Sequence, residues 1–282
     1  VNLFGNWVLI NGMLGFPRWE VAGAAVATSL SRMIAFFITF YAVYRRDKFI
    51  HISFQDSYRL EPDILRKVLD IGIPAAVEQL IMRGGALLFT RLIAGFGTLM
   101  FAAHQIAINI DSLGLVPVMA FQMATTTLVG QGLGAQKPEL SEEVTHQSTI
   151  ISVNIMSLVG LFFFLFGKYV VGIFTKDAQV ISMGAGALKI LALAQPFTAV
   201  YFVLAGALRG AGDTKYTMYV STIGVWGVRL LLGYILADLL GMALIGAWIA
   251  VAADMLVRML LALRRFLSGH WKKQVLAMEE CC

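Results

Sequence analysis

The sequence predicts an all-α polytopic membrane protein with about eight transmembrane helices. Three observations carry that expectation. Of 282 residues, 59% are hydrophobic and 14% charged, with a mean hydropathy of +0.77; a soluble domain carries about 25% charged residues. Apolar runs of about 20 residues, the length that crosses a bilayer as a helix, recur along the chain. Those runs do not alternate with period two and are about twice the length of a membrane-barrel strand, so helices fit and strands do not.

The predicted spans are 3–16, which is short, then 21–44, 68–95, 100–130, 147–166, 183–208, 216–237 and 242–263. Short connections separate them, such as Gly15-Phe16-Pro17. The one longer polar connection runs from Arg45 to Lys67. This organises the chain as the last two helices of a first lobe (1–46), a cytoplasmic inter-lobe linker (47–67), a six-helix second lobe (68–266) and a cytoplasmic tail (267–282). The first residue is Val1, no signal-peptide pattern follows, and the chain reads as a fragment that continues an upstream segment.

An internal repeat supports the same division. Val21-Ala-Gly-Ala-Ala-Val-Ala opens the second span and resembles Leu244-Ile-Gly-Ala-Trp-Ile-Ala at the start of the eighth; both spans end in an Arg-Arg pair, Arg45-Arg46 and Arg264-Arg265. A period of about six helices in equal orientation is that of transporters built from two parallel bundles, with about four helices lying upstream. Basic residues set the orientation. Arg45, Arg46, Lys48, Arg59, Arg66, Lys67, Lys137, Arg209, Lys215, Arg264, Arg265, Lys272 and Lys273 fall on one side; Arg18, Lys168, Lys176 and Lys189 fall on the other. The first group is expected in the cytoplasm, with both ends of the chain there. The localisation expected is a plasma (inner) membrane, multi-pass.

The net charge of +5 is no nucleic-acid signal, because the basic residues flank apolar runs and form no polar face. Cys281 and Cys282, at the last two positions, cannot build a disulfide framework, and no motif beside them supports lipidation.

Polar residues inside the spans carry the chemistry. Stretch 71–138 holds Glu78, Gln79, Arg83, Arg91, His104, Gln105, Asn109, Asp111 and Gln122 within apolar sequence. A charge at bilayer depth costs roughly 2.5–3.5 kcal/mol, so such residues face a protein interior or a wet cavity. Glu78 is expected one turn after a helix start at Pro74, on a face with Met82 and Gly85 and beside Gln79 and Arg83. A carboxyl group among apolar atoms resists ionising and can exchange a proton near neutral pH, which an ion-coupled carrier requires; a permanent pair with an arginine is the alternative. His104, Asp111 and Gln122 fall near one helical face, and Pro117 is expected to kink that helix. Arg229 is expected to neutralise a buried carboxylate or bind an anionic group, or to form a structural pair with Asp111 or Glu78. Asp254 and Arg258, four apart, are expected to pair with each other. Arg32 has no acid nearby in sequence. No second His or Cys stands at metal spacing, so no metal site is expected. Gly130-Gln-Gly-Leu-Gly-Ala-Gln-Lys and Arg209-Gly-Ala-Gly-Asp-Thr-Lys lack the preceding strand of a phosphate loop and read as tight cytoplasmic turns. With no nucleotide motif in the chain, energy would come from an ion gradient.

Four motifs together resemble the MATE (multidrug and toxic compound extrusion) transporters: Gly72-Ile-Pro-Ala-Ala-Val-Glu78, Ala102-Ala-His-Gln-Ile-Ala107, Leu128-Val-Gly-Gln-Gly-Leu-Gly-Ala-Gln-Lys-Pro138 and Gly206-Ala-Leu-Arg-Gly-Ala-Gly-Asp-Thr-Lys215. They occur in order, at family-like spacing, over essentially the whole chain. The resemblance implies a twelve-helix, non-enzymatic antiporter that exports organic cations or other amphiphiles against entering protons or sodium ions, without a cofactor. It implies a functional carboxylate in the first helix of the C-terminal lobe, for which Glu78 is the candidate, although several branches carry theirs later. Some branches have a further acid at the position of Thr198, and its absence here speaks against a sodium site there. The expected cavity lining is Gln79, His104, Gln105, Asn109, Asp111, Gln122 and Arg229, with Met82, Met119 and Met123 as adaptable apolar contacts. Small-molecule substrate and lipid bilayer are the expected partners; the protein is expected to be monomeric and to need its upstream lobe. A flippase for a lipid-linked precursor is the alternative of related architecture. It would want several cations in its core, and Arg83, Arg91 and Arg229 are the obvious ones. A catalytic membrane protein finds no support in a Ser/His/Asp or paired-Asp pattern.

Overall fold

The computed structural model describes residues 1–13, 15, 17–44 and 61–272. Arg45 and Arg46 at the end of the first-lobe segment, most of the expected linker, with Lys48 and Arg59, and the end of the tail, with Lys273, Cys281 and Cys282, lie outside the described residues. Within them every regular element is a helix. The chain divides into two compact units, Val1–Glu61 and Pro62–Cys282.

The first unit is a helical hairpin of α1 (Asn2–Asn11) and α2 (Glu20–Tyr44). The second contains α3 (Pro62–Ala94), α4 (Thr98–Gly114), α5 (Val116–Gly134), α6 (Pro138–Phe174), α7 (Ala178–Gly210), α8 (Thr214–Leu239) and α9 (Ala243–Leu267). Six of these, α2, α3, α6, α7, α8 and α9, are long and apolar enough to cross a membrane. The pair α4 and α5 makes a seventh, bent by 45° at Leu115. Pro117, in the first turn of α5, is the break that its missing N–H predicts. The predicted 3–16 segment is the ten-residue α1.

Helix ends follow local chemistry. α3 starts at Pro62 with Asp63 in its first turn, where the missing proline donor and an acid beside the helix dipole are both favourable. Pro74 therefore lies inside α3 and not at its start. The sequence reading placed the start by hydropathy, and the first turns of α3 are polar. α7 is capped by Asp177, whose Oδ1 accepts from the backbone N–H of Gln179 (2.8 Å) and Val180 (3.2 Å). Lys168 and Lys189 sit on α6 and α7 and not in connections.

α7 is the central element of the second unit. Two-thirds of its apolar window is buried, against 28% for α6 and 17% for α3, whose exposed apolar faces suit contact with lipid. One core joins Leu188, Leu191 and Ala192 of α7 to Ile93, Ala107, Phe163, Ala247 and Trp248. A second joins Leu204, Ala205 and Leu208 to Val129, Leu133, Val220 and Trp271.

Glycines read as turns are mostly helical. Gly130, Gly132 and Gly134 belong to α5 and Gly210 to α7, in which Gly206 lies as the predicted span 183–208 has it. Gly206 lies against the Gln122 carbonyl and Gly210 against that of Thr126, and Thr126 Oγ1 donates to the Gly206 carbonyl at 3.0 Å. This is a small-xxx-small approach of two membrane helices. Only Gly212, at φ 79°, turns the chain between α7 and α8. A helical glycine and a turn glycine look alike until the neighbouring helix is known.

The sequence repeat reappears as backbone geometry. The chain leaves α1 through Gly12 (φ 71°), bonds Trp19 N to Leu9 O at 3.0 Å, enters α2 with Glu20 at φ 46° and packs Gly23 on the Leu9 carbonyl. It leaves α8 through Gly241 (φ 67°), bonds Met242 N to Leu236 O at 3.1 Å, enters α9 with Ala243 at φ 48° and packs Gly246 on the Leu236 carbonyl. A Cβ at Gly23 would stand 2.6 Å from one carbonyl oxygen, and at Gly246 2.7 Å from the other. The same hairpin is built twice, about six spans apart.

Candidate functional site

Glu78 is buried in α3, and later helices fill its carboxylate. Arg209 Nη2 donates to Oε1 at 2.7 Å, Ser221 Oγ to Oε1 at 2.7 Å and Thr217 Oγ1 to Oε2 at 3.1 Å. Arg209 ends α7, while Thr217 and Ser221 share a face of α8 at i, i+4 spacing. The Gly206–Lys215 motif is thus a clip. Arg209 reaches Glu78, Asp213 accepts from Arg265 Nε of α9 at 2.7 Å, and Thr214 Oγ1 donates to the Ile71 carbonyl of α3 at 3.1 Å.

Deeper in the same unit lies a second charged group. Asp254 is fully buried and takes Arg258 on both oxygens, as the i, i+4 spacing predicts. It also takes Arg229 Nη2 on Oδ2 at 2.7 Å. Arg229 therefore neutralises a buried carboxylate, but that carboxylate is Asp254 and neither Asp111 nor Glu78. The reason is the backbone of α8, which is π-helical over Ile223–Leu230 and over Tyr234–Leu239. A π-helix shifts side-chain phase relative to an α-helix, so the face of Arg229 could not be read from a period of 3.6 residues. Gly224 leaves the space in which the pair lies; a Cβ there would overlap both Asp254 and Arg258. Met82 Sδ accepts from Arg258 Nη1 at 3.2 Å. The Arg258 guanidinium stands 5.6 Å from the Tyr201 ring centre, and Tyr201 Oη lies 3.2 Å from Ser221 Oγ. A polar line thus runs Arg229, Asp254, Arg258, Tyr201, Ser221, Glu78, Arg209.

Asp111, half-buried on α4, stands apart from these pairs. Gln195 Nε2 of α7 donates to its Oδ1 at 3.1 Å, and Arg229 is within electrostatic reach. His104, fully buried, lies between Phe89 (5.9 Å) and Trp248 (5.5 Å), and neither ring nitrogen has a hydrogen-bond partner. Gln79, Gln105 and Asn109 are exposed, as are Arg83, Arg91 and Arg32. Gln122 is half-buried at the α5–α7 contact. The fold thus gathers Asp111, His104 and Arg229 in one region and Glu78 in another, and leaves Gln79, Gln105 and Asn109 on the surface of the unit.

Sequence reasoning did not single out Arg209, Thr217, Ser221, Tyr201 or Gln195. Gln195 carried a signal, being a polar residue beside Pro196 in an apolar span. The hydroxyl pair Thr217 and Ser221 carried a weaker one. Arg209 was assigned to a connection. Among the described residues no group of three His, Cys, Asp or Glu side chains could hold a metal ion.

Helices of membrane length with exposed apolar faces and paired charges inside define a polytopic integral membrane protein. The chain belongs to the MatE family, whose model matches residues 74–235. It is 35% identical to the probable multidrug resistance protein NorM of Thermotoga maritima, covering 99% of this chain and 60% of that protein. It is 30% identical to the transporter YisQ of Bacillus subtilis, over 98% of this chain and 61% of that one. A solved MOP superfamily transporter from Pyrococcus furiosus superposes with a TM-score of 0.84 at 25% identity, over 99% of this chain and 60% of that structure. The chain thus spans about three-fifths of the length of the relatives it matches.

Proposed function

We propose that the protein to which this chain belongs is a secondary active transporter that exports organic cations, drugs or other amphiphilic solutes in exchange for protons or sodium ions, by alternating access. The observation that supports this most directly is Glu78, a carboxylate enclosed in a membrane helix with all its partners on two later helices. A proton or a competing cation on Glu78 removes the charge that holds Arg209. The corner between α7 and α8 is then released from α3, so ion occupancy biases helix packing, as alternating access requires. The name of the Thermotoga relative supports the drug-export reading. The protein works in the bilayer with both ends of this chain on the cytoplasmic side, where Arg66, Lys67, Arg264 and Arg265 flank the spans.

The test uses the full-length protein in liposomes with a fluorescent organic cation inside, driven first by a proton gradient and then by a sodium gradient. Wild type is expected to move the dye under one of them. Glu78→Gln is expected to slow movement about tenfold or more, equivalent to losing roughly 1.4–3 kcal/mol from one charged hydrogen bond. Undiminished movement in the variant would remove Glu78 from coupling. Movement under neither gradient would count against export of such cations.

A further inference from the structure

We propose that Asp111 is a proton-binding site of this transporter, held by Gln195, with Arg229 as a counter-ion that moves between Asp254 and Asp111. This rests on the export reading above and adds a second ionisable group to it.

Glu78, Asp254 and Asp111, the acids set within apolar helices of the second unit away from its connections, differ in what surrounds them. Glu78 has donors on both oxygens, one of them a guanidinium. Asp254 has two guanidinium groups. Asp111 has one neutral amide, on Oδ1 alone. Gln195 is 1% exposed, and its Oε1 is a buried acceptor with no hydrogen-bond partner. An amide that donates to Asp111 while its own acceptor stays unfilled marks a place for another proton donor. The carboxyl of Asp111, once protonated, carries one.

The charges around it support exchange. The charged group within electrostatic reach of Asp111 is Arg229 from α8, which is held in turn by Asp254 beside Arg258 of α9; His104, on the helix of Asp111, is within reach of the same Arg229. α6 presents Val159 and Phe163 at Gly114, about one turn away, and α3 presents Phe89 at His104. With Asp111 ionised, these two arginines and two aspartates balance. With Asp111 neutral, one positive charge is left over, and it belongs to Arg229, whose side chain is 15% exposed while that of Arg258 is fully enclosed. Arg258 already occupies both oxygens of Asp254, so Arg229 can leave without stranding that acid. Arg229 Nε, buried and without a partner, is free to take a carboxylate. The structure has Arg229 on Asp254 and Asp111 on an amide, the arrangement suited to a neutral Asp111. When the proton leaves to water through the half-exposed side of Asp111, the new negative charge draws Arg229 across and α8 with it. Sodium is the weaker occupant, since Asp111 and Gln195 supply too few oxygens for a desolvated metal ion.

The experiment is pH-difference infrared spectroscopy on purified full-length protein, which reads protonated carboxyl groups directly. A carboxyl band that responds to pH is expected in wild type, absent in Asp111→Asn and retained in Glu78→Gln. Arg229→Gln, which removes the counter-ion, is expected to move its midpoint to more alkaline solution by about one pH unit or more. A purely structural Asp111 would show neither response. A band that persists in Asp111→Asn, ignores Arg229→Gln or is abolished by adding sodium at fixed pH would overturn the proposal. Gel filtration checks folding, and the conservative Arg229→Gln keeps the test open where Asp111→Asn does not fold. An intact band without dye movement in liposomes would sink the export reading and leave the site standing. Proton-driven dye movement unchanged in Asp111→Asn would do the reverse.

Discussion

Asp254→Asn is expected to destabilise the protein by about 3–5 kcal/mol, because it leaves the enclosed Arg258 guanidinium and the largely buried one of Arg229 without their anion. The substitution preserves shape, so the loss is electrostatic and owes nothing to a cavity. Arg258 has no exposed surface, pairs with no other acid among the described residues, and has in Met82 only a weak sulfur acceptor. Thermal unfolding of full-length protein in detergent reads the effect, with a lower apparent melting temperature and a broadened gel-filtration peak. The double variant Asp254→Leu with Arg258→Met replaces both buried charges by apolar groups and is expected to recover most of the loss. Arg229, which is partly exposed, can then turn to water or to Asp111. An Asp254→Asn variant as stable as wild type would mean that this charge cluster does not hold α8 and α9 together.

Gly206→Ala is expected to cost about 1–3 kcal/mol and to weaken the Glu78 site together with the fold. The added Cβ would stand 2.6 Å from the Gln122 carbonyl oxygen, and a backbone atom cannot rotate away. α5 must then move off α7, the helix that carries Arg209 to Glu78. Gly186→Ala on the same helix is the control. Nothing lies within 4 Å of its Cβ, so helix propensity alone acts and stability is expected to stay level or rise by up to about 1 kcal/mol. Melting curves of the two variants side by side test the claim. Equal behaviour would show that the α5–α7 approach has slack.

The spans, the break at Pro117, the Asp254–Arg258 pair and the repeated hairpin were all legible in the sequence. Each depends on residues within a few turns of one another, where hydropathy, a missing N–H, an i, i+4 spacing or a glycine register acts locally. What only the tertiary structure decided was which acid meets which base. Glu78 meets Arg209 across 131 positions of chain, and Asp111 meets Gln195 across 84. Arg229 meets Asp254 because two π-helical stretches in α8 reset the face it presents. Gly210 became a packing residue and not a turn residue because α5 lies against it, as it does against Gly206. Composition confines a buried charge to the protein interior. Its partner depends on helix phase and on the neighbouring helix, and those are set by packing over the whole bundle.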